Sequence, residues 1–169
     1  MIEPYHATAE RIRQELAALE RVTSRAIRAM ARAREQPADQ DFYLDSVALN
    51  LQDFYTGVER AFRRIAGTID EEVPAGHNWH EELLRQMAQE RTGIRPAVIS
   101  SETADALDQY LRFRHVVRNI YTFEFDADRI GRLVQGLSPC FRQLERELQE
   151  FASFLEQLAE SDDSVPEGE

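Results

Sequence analysis

Few residues in this chain can interrupt a helix. Only seven glycines and six prolines occur among 169 residues. The breaks that they mark lie at Pro37, at Pro74–Gly76, at Gly93–Pro96 and at Pro166–Gly168. The segments between these breaks are rich in Ala, Leu, Arg, Glu and Gln, which favour helices. No segment keeps the apolar–polar alternation of a strand, so the sequence predicts an all-α fold.

Apolar residues recur every three or four positions, which is typical of helices with one buried face. This spacing predicts five helices: Pro4 to Glu35, Asp39 or Asp41 to Ile65, Asn78 to Arg91, Glu102 to Tyr121, and Asp126 to Ala159. Pro139 is expected to kink the last of them. The second helix has nearly a seven-residue repeat, as in antiparallel bundles, formed by Leu44, Val47, Leu51, Phe54, Val58, Phe62 and Ile65.

We therefore expect residues 1–160 to form a single domain, an up-and-down bundle of four to five helices. The inward stripe of the first helix is expected to include Ile27, and Trp79 is expected to anchor the short third helix in the core. Ser101 with Thr103 is expected to cap the fourth helix. Residues 161–169 form an acidic tail that is predicted to be disordered, because it has little apolar content.

The charged residues exclude several kinds of function. The chain has 31 acidic residues and 20 basic ones, all of them arginine, and its formal net charge is −11. Without lysine it can have neither Schiff-base chemistry nor a Walker-type phosphate loop. A balance this acidic also argues against a broad nucleic-acid-binding surface. No apolar run is long enough to span a membrane and no signal-peptide pattern opens the chain, so we expect a cytoplasmic protein.

The cysteine and histidine residues offer little to a metal. A single cysteine, Cys140, excludes an internal disulfide and a multi-cysteine zinc site, and we expect it to be a buried, inert thiol. His77 and His80 precede two glutamates, but the sequence lacks the Glu-x-x-His pairs of a four-helix carboxylate site. We therefore expect no bound metal and no cofactor.

One short stretch concentrates positive charge. Its basic residues have no acid among them, and a helical projection gathers them with Asn119 on one side: Arg112, Arg114, His115 and Arg118. Guanidinium groups bind phosphate oxygens, and an imidazole can transfer a proton near neutral pH. Such a face could cleave RNA without a metal, because a base activates the ribose 2′-hydroxyl and a cation stabilises the charge that develops. The alternative is a solvated face whose arginines pair with acids of neighbouring helices.

This stretch resembles the motif Arg-x4-His-x-Tyr of HepT-like proteins in the HEPN superfamily. The segment Arg114-His115-Val116-Val117-Arg118-Asn119-Ile120-Tyr121 matches the arginine, the spacing and the tyrosine, whereas Asn119 stands at the histidine position. The stretches Gly76–Leu84 and Arg95–Ser100 are also similar to these proteins. The resemblance implies a HEPN-like helical homodimer with two motif helices across a shared cleft. It also implies RNA as substrate and a minimal nucleotidyltransferase antitoxin as partner, which in some systems transfers AMP to the motif tyrosine, here Tyr121.

The resemblance also implies roles for the site residues. Arg114 would bind and stabilise the scissile phosphate, assisted by Arg112 and Arg118. Because asparagine cannot exchange a proton, His115 is expected to be the proton-transfer group, while Asn119 orients the sugar or phosphate. The leading prediction is a metal-independent endoribonuclease toxin. Two alternatives stay open: a catalytically silent HEPN adaptor that binds RNA or the nucleotidyltransferase, and a structural helical dimerisation module.

Overall fold

Three long helices form the body of the protein. The computed structural model describes residues 2–120 and 124–164, and within these ranges it contains helices and connecting turns but no strand. The helices are α1 (Ile2–Glu35), α2 (Gln40–Ile65), α3 (Trp79–Met87), α4 (Ser101–Val117) and α5 (Ala127–Asp163). α1 packs along both α2 and α5, α4 packs against α2 and α5, and α3 packs against α2 and α4. The predicted all-α bundle is therefore confirmed.

The core follows the apolar stripes of the long helices. All seven stripe residues of α2, from Leu44 to Ile65, are buried, which confirms the predicted repeat. Gly57 lets α1 approach α2 closely, since a Cβ atom there would lie 2.8 Å from Leu19 Cδ2. The predicted inward position of Ile27 is wrong, because its side chain is 41% exposed. Its neighbour Ala26, a member of the same predicted stripe, does face the core, and consecutive helical residues point about 100° apart.

α3 ends earlier than predicted because the loop after it uses its last carbonyl. The Met87 carbonyl accepts hydrogen bonds from the N–H groups of Val98 (2.9 Å) and Ile99 (3.2 Å). The Arg91 N–H, which would continue the helix, donates to the Arg95 carbonyl at 3.0 Å. The predicted helix end at Arg91 is therefore wrong, and the chain folds back after Met87.

α4 begins and ends earlier than predicted. Its N-cap is Ser100, whose Oγ accepts a hydrogen bond from the Thr103 N–H at 3.1 Å. This cap lies one residue before the predicted Ser101. The helix ends at Val117 and not at Tyr121, which lies outside the described residues.

α5 is longer than predicted. It continues past Pro139 and ends at Asp163, so the predicted disorder is wrong for residues 161–163. Residues 165–169 of the acidic tail lie outside the part of the chain that the structure describes. No helix described in the structure combines the length and apolarity that a bilayer span requires.

A buried ion pair fixes the loop that carries α3. The Arg95 guanidinium donates to both carboxylate oxygens of Asp70, at 2.5 Å from Nε and 2.7 Å from Nη2, and both side chains are fully enclosed. Arg95 also donates to the backbone carbonyls of Gln86, Gln89 and Pro96, and Gln86 Nε2 donates to the same carboxylate at 2.7 Å. Asp70 is the last residue of the π-helical turn Ala66–Asp70 that follows α2, so the Asp70–Arg95 pair joins this turn to both sides of the turn after α3 and fixes where α3 lies.

Replacing Arg95 with alanine is expected to lower the free energy of unfolding by about 3 kcal/mol, because the buried Asp70 carboxylate loses its two-point charge partner and keeps only Arg91 Nε at 3.4 Å. Urea unfolding followed by far-UV circular dichroism measures this loss. The control is Arg21→Ala at an exposed position of α1, expected to change stability by less than about 0.5 kcal/mol. Equal losses in the two variants would contradict the importance of the pair.

Cys140 lies on α5 and is buried, as predicted. Burial, with a smaller contribution from Glu147, raises the pKa of its thiol to about 12. Since the thiolate is the reactive form, Cys140 in the folded protein is expected not to react with Ellman's reagent at pH 8. Absorbance should report its reaction only after unfolding in urea. Rapid labelling of the folded chain would show that the thiol is accessible.

Candidate functional site

The motif arginine, Arg114, lies inside the bundle. Only 2% of its surface is exposed. The physical reason is that Leu107, Tyr110 and Leu111 lie within about 60° of Arg114 around α4, so these core-facing residues carry the arginine inward with them. The expected exposed face centred on Arg114 is therefore wrong. A projection of the motif residues alone omits Leu107 and Leu111, which bring the buried side of α4 round to Arg114.

A carboxylate of α2 neutralises this buried guanidinium. Arg114 Nη2 lies 3.0 Å from Glu59 Oε2, and Nη1 lies 3.3 Å from Oε1 and 3.3 Å from Thr56 Oγ1. The guanidinium carbon lies 4.9 Å from the centre of the Tyr55 ring. Burial, and after it the Glu59 charge, raises the pKa of Tyr55 well above its ordinary value, so its hydroxyl stays protonated. This pairing agrees with the alternative in which an arginine pairs with an acid of a neighbouring helix.

His80, in the first turn of α3, joins the same carboxylate. Its Nδ1 lies 2.6 Å from Glu59 Oε2 and 2.9 Å from Arg114 Nη2. With Glu59 ionised, Nδ1 donates its proton to Oε2 in the shorter of these two contacts, and the Arg114 Nη2 contact is then not a hydrogen bond. In this tautomer His80 and Arg114 both donate to Glu59 Oε2. The other ring nitrogen, Nε2, forms no hydrogen bond with the described residues.

Two further rings complete what we call the Glu59–His80–Arg114 cluster. The half-buried Trp79 ring stacks on His80 with 3.6 Å between ring centres, which agrees only in part with its predicted core position. The His115 ring meets His80 edge to face, at 5.6 Å between centres. His115 Nε2 is enclosed and has no hydrogen-bond partner among the described residues. The arrangement places two imidazoles beside one neutralised guanidinium.

The other predicted site residues lie outside this cluster. Arg112 is exposed and pairs with Asp108 at 2.7 Å between Nε and Oδ2. Arg118 is exposed and follows the last residue of α4. Asn119 Nδ2 donates to the His115 carbonyl at 2.9 Å, so its amide closes the helix end. Of the five predicted residues that the structure describes, Arg114 and His115 each contact His80, and the other three face solvent.

Sequence reasoning missed Glu59 and His80. Glu59 recurs at helical spacing with the buried Tyr55 and Phe62, and an acid in a core-facing row requires a buried partner. That spacing was the available signal. In the sequence, His80 stands out only as a candidate metal ligand beside His77. Among residues 2–120 and 124–164, no group of three or more His, Cys, Asp or Glu side chains is arranged to hold a metal ion.

The fold and the site together define an all-helical protein organised around an arginine-bearing motif helix. The sequence matches a family described as HepT-like protein over residues 46–155, well over half of the chain. The protein therefore belongs to the HepT-like family, as the motif indicates. The matched region contains every member of the Glu59–His80–Arg114 cluster. Searches of curated proteins and of solved structures found no match.

Replacing Glu59 with alanine is expected to lower the free energy of unfolding by about 3–5 kcal/mol, because Arg114 would become an unpaired buried charge. Urea unfolding measures the loss. Glu81→Ala, an exposed acid beside His80, is the matched control and is expected to stay within about 0.5 kcal/mol of wild type.

The double variant Glu59→Leu with Arg114→Met separates charge from packing. It is expected to recover most of the stability, since apolar side chains of similar volume can replace a buried pair. A double variant as unstable as Glu59→Ala would show that the pair stabilises the bundle by more than mutual neutralisation.

Proposed function

We propose that this protein is a metal-independent endoribonuclease, the toxin of a toxin–antitoxin pair, and that it acts at the Glu59–His80–Arg114 cluster. The observation that carries the proposal is the 2.6 Å contact between His80 Nδ1 and Glu59. A carboxylate that holds one ring nitrogen fixes the tautomer and leaves the other nitrogen as a base. The homodimer, the nucleotidyltransferase antitoxin and Tyr121 as AMP acceptor belong to the same proposal and rest on family membership.

The proposed reaction uses the two imidazoles as base and acid. His80 Nε2 takes the proton of a ribose 2′-hydroxyl, and the freed oxygen attacks the adjacent phosphorus. The bond from phosphorus to the 5′-oxygen then breaks, and a protonated His115 gives that leaving oxygen the proton of its Nδ1, since its Nε2 is enclosed. The products are a 2′,3′-cyclic phosphate and a 5′-hydroxyl. This step assigns proton transfer to His115, as the sequence analysis did, and adds His80 as its counterpart.

The arginines take different parts in this proposal. Because Glu59 already neutralises Arg114, and because Arg114 is buried, it acts as a positioning residue that holds the carboxylate against His80. Arg118 lies one helical turn further on nearly the same side of α4 and is exposed, so it is placed to stabilise the charged phosphorane. Asn119 positions His115 by binding its carbonyl.

A second candidate is the catalytically silent adaptor. The amide of Asn119 cannot exchange a proton, and its donor is used at the end of α4. The charge of Arg114 is likewise used within the fold. These two observations favour a HepT-like protein that binds RNA or its antitoxin without cleaving it.

RNA cleavage tests both candidates. Purified protein with a 5′-labelled RNA pool in EDTA is expected to release fragments that end in 2′,3′-cyclic phosphates. His80→Ala is expected to slow cleavage by about 10²–10⁴-fold, the usual contribution of a general base. His77→Ala, which removes an exposed imidazole three residues earlier, is the matched control and should cleave at the wild-type rate.

The remaining outcomes decide against the enzyme or its site. Cleavage that survives in His80→Ala would remove His80 from the reaction. RNA binding without cleavage by wild type, with cleavage gained in Asn119→His, would establish the silent adaptor. A protein that neither binds nor cleaves RNA would contradict the enzyme and the RNA-binding adaptor, and would leave only an adaptor that binds the antitoxin.

A further inference from the structure

A second concentration of arginines lies on the opposite side of α4, where this helix meets the first turns of α5. A surface pocket of about 400 Å³ is lined there by Gln109, Arg112, Arg129, Arg132 and Leu133. This volume lies within the range of small-ligand sites. Arg112 lies about 160° from Arg114 around α4, so the pocket is separate from the Glu59–His80–Arg114 cluster.

The walls of the pocket are held in place by hydrogen bonds. Tyr110 Oη donates to the Leu133 carbonyl at 2.7 Å, which ties α4 to α5 beneath the arginines. Asp126 caps α5 by accepting from the N–H groups of Asp128 (3.0 Å) and Arg129 (3.4 Å). The arginines therefore project from two helices whose separation is fixed.

The charges in this pocket are not balanced. Arg112 pairs with Asp108, but neither Arg129 nor Arg132 forms an ion pair with an acid in the described part of the chain. In a chain with a net charge of −11, Arg129 and Arg132 therefore lie in one pocket without paired acids, and their guanidinium groups repel each other until an anion binds.

A second pocket, of about 300 Å³, shares Arg132 with the first and is also lined by Arg34, Gln40 and Asp128. Gly131 makes room for the first-helix arginine, since a Cβ atom there would lie 3.0 Å from Arg34 Nη2. Arg132 thus lies between Arg112 and Arg129 in one pocket and Arg34 in the other. We call the two neighbouring pockets the arginine groove.

We propose that the arginine groove binds the phosphate backbone of a single-stranded RNA. Guanidinium groups bind phosphate oxygens through two parallel hydrogen bonds, and a path of four of them suits the repeated charge of such a strand better than a single anion. Contacts to phosphates carry no sequence information, so the groove binds strands of different sequence with similar affinity. Only the choice of RNA as the strand rests on the proposed function.

Fluorescence anisotropy with a labelled 2′-O-methyl oligouridine tests the groove, because this strand cannot be cleaved at the 2′-oxygen. Arg129→Gln with Arg132→Gln is expected to weaken binding about tenfold and to reduce the salt slope by about 1.4, the value for two lost contacts to a single strand. The control, Arg21→Gln with Arg146→Gln, removes the same charge from exposed positions outside the groove, and it should change both quantities much less.

Any other result of this experiment would contradict the proposal that the arginine groove binds RNA. Equal weakening in both double variants would indicate general charge attraction, and unchanged affinity in the groove variant would place RNA elsewhere. Binding of polyglutamate but not of RNA would make the surface a protein-docking site. Cleavage is measured separately: loss of the groove effect with His80-dependent cleavage intact would refute the groove alone, and the reverse pattern would refute the proposed function alone.

Discussion

A guanidinium cannot remain charged inside a helical bundle unless a carboxylate neutralises it, and this constraint organises the centre of the protein. Glu59 on α2 satisfies this constraint by pairing with Arg114 on α4. The carboxylate oxygen that receives Arg114 also receives His80, so one atom joins three helices. The pair that keeps α4 in register is thus the same pair that orients the only imidazole bound to a carboxylate among the described residues.

The fold could be predicted because its determinants are local. The stripe from Leu44 to Ile65 requires only that apolar residues recur along one face, and all of its members are buried. The errors arise where distant residues intervene. α3 stops at Met87 because Val98 and Ile99 bind its last carbonyl, and no pattern within the helix contains that information.

The site could be predicted only in part, for the same reason. The motif identified α4 as the helix that carries Arg114 and His115. The partner of Arg114, however, lies 55 residues earlier in the chain. A charged residue at an otherwise apolar position can point outward or find a counter-charge inside. The choice depends on whether Glu59 stands opposite, which becomes visible only when α2 and α4 are packed together. The helical spacing of Glu59 indicates that its side chain is buried. No pattern in the sequence indicates that it forms a hydrogen bond with His80.

The Asp70–Arg95 pair also limits how the chain can vary in length. Arg95 binds Asp70, in the π-helical turn that follows α2, and three carbonyls on both sides of the turn after α3, so the chain between Met87 and Arg95 is held at both of its ends. An insertion or deletion in that span would break these bonds or rotate α3 about its own axis. His80 lies in the first turn of α3, at the opposite end of the helix from this surface turn. The number of residues between Met87 and Arg95 therefore affects the direction in which the His80 imidazole points.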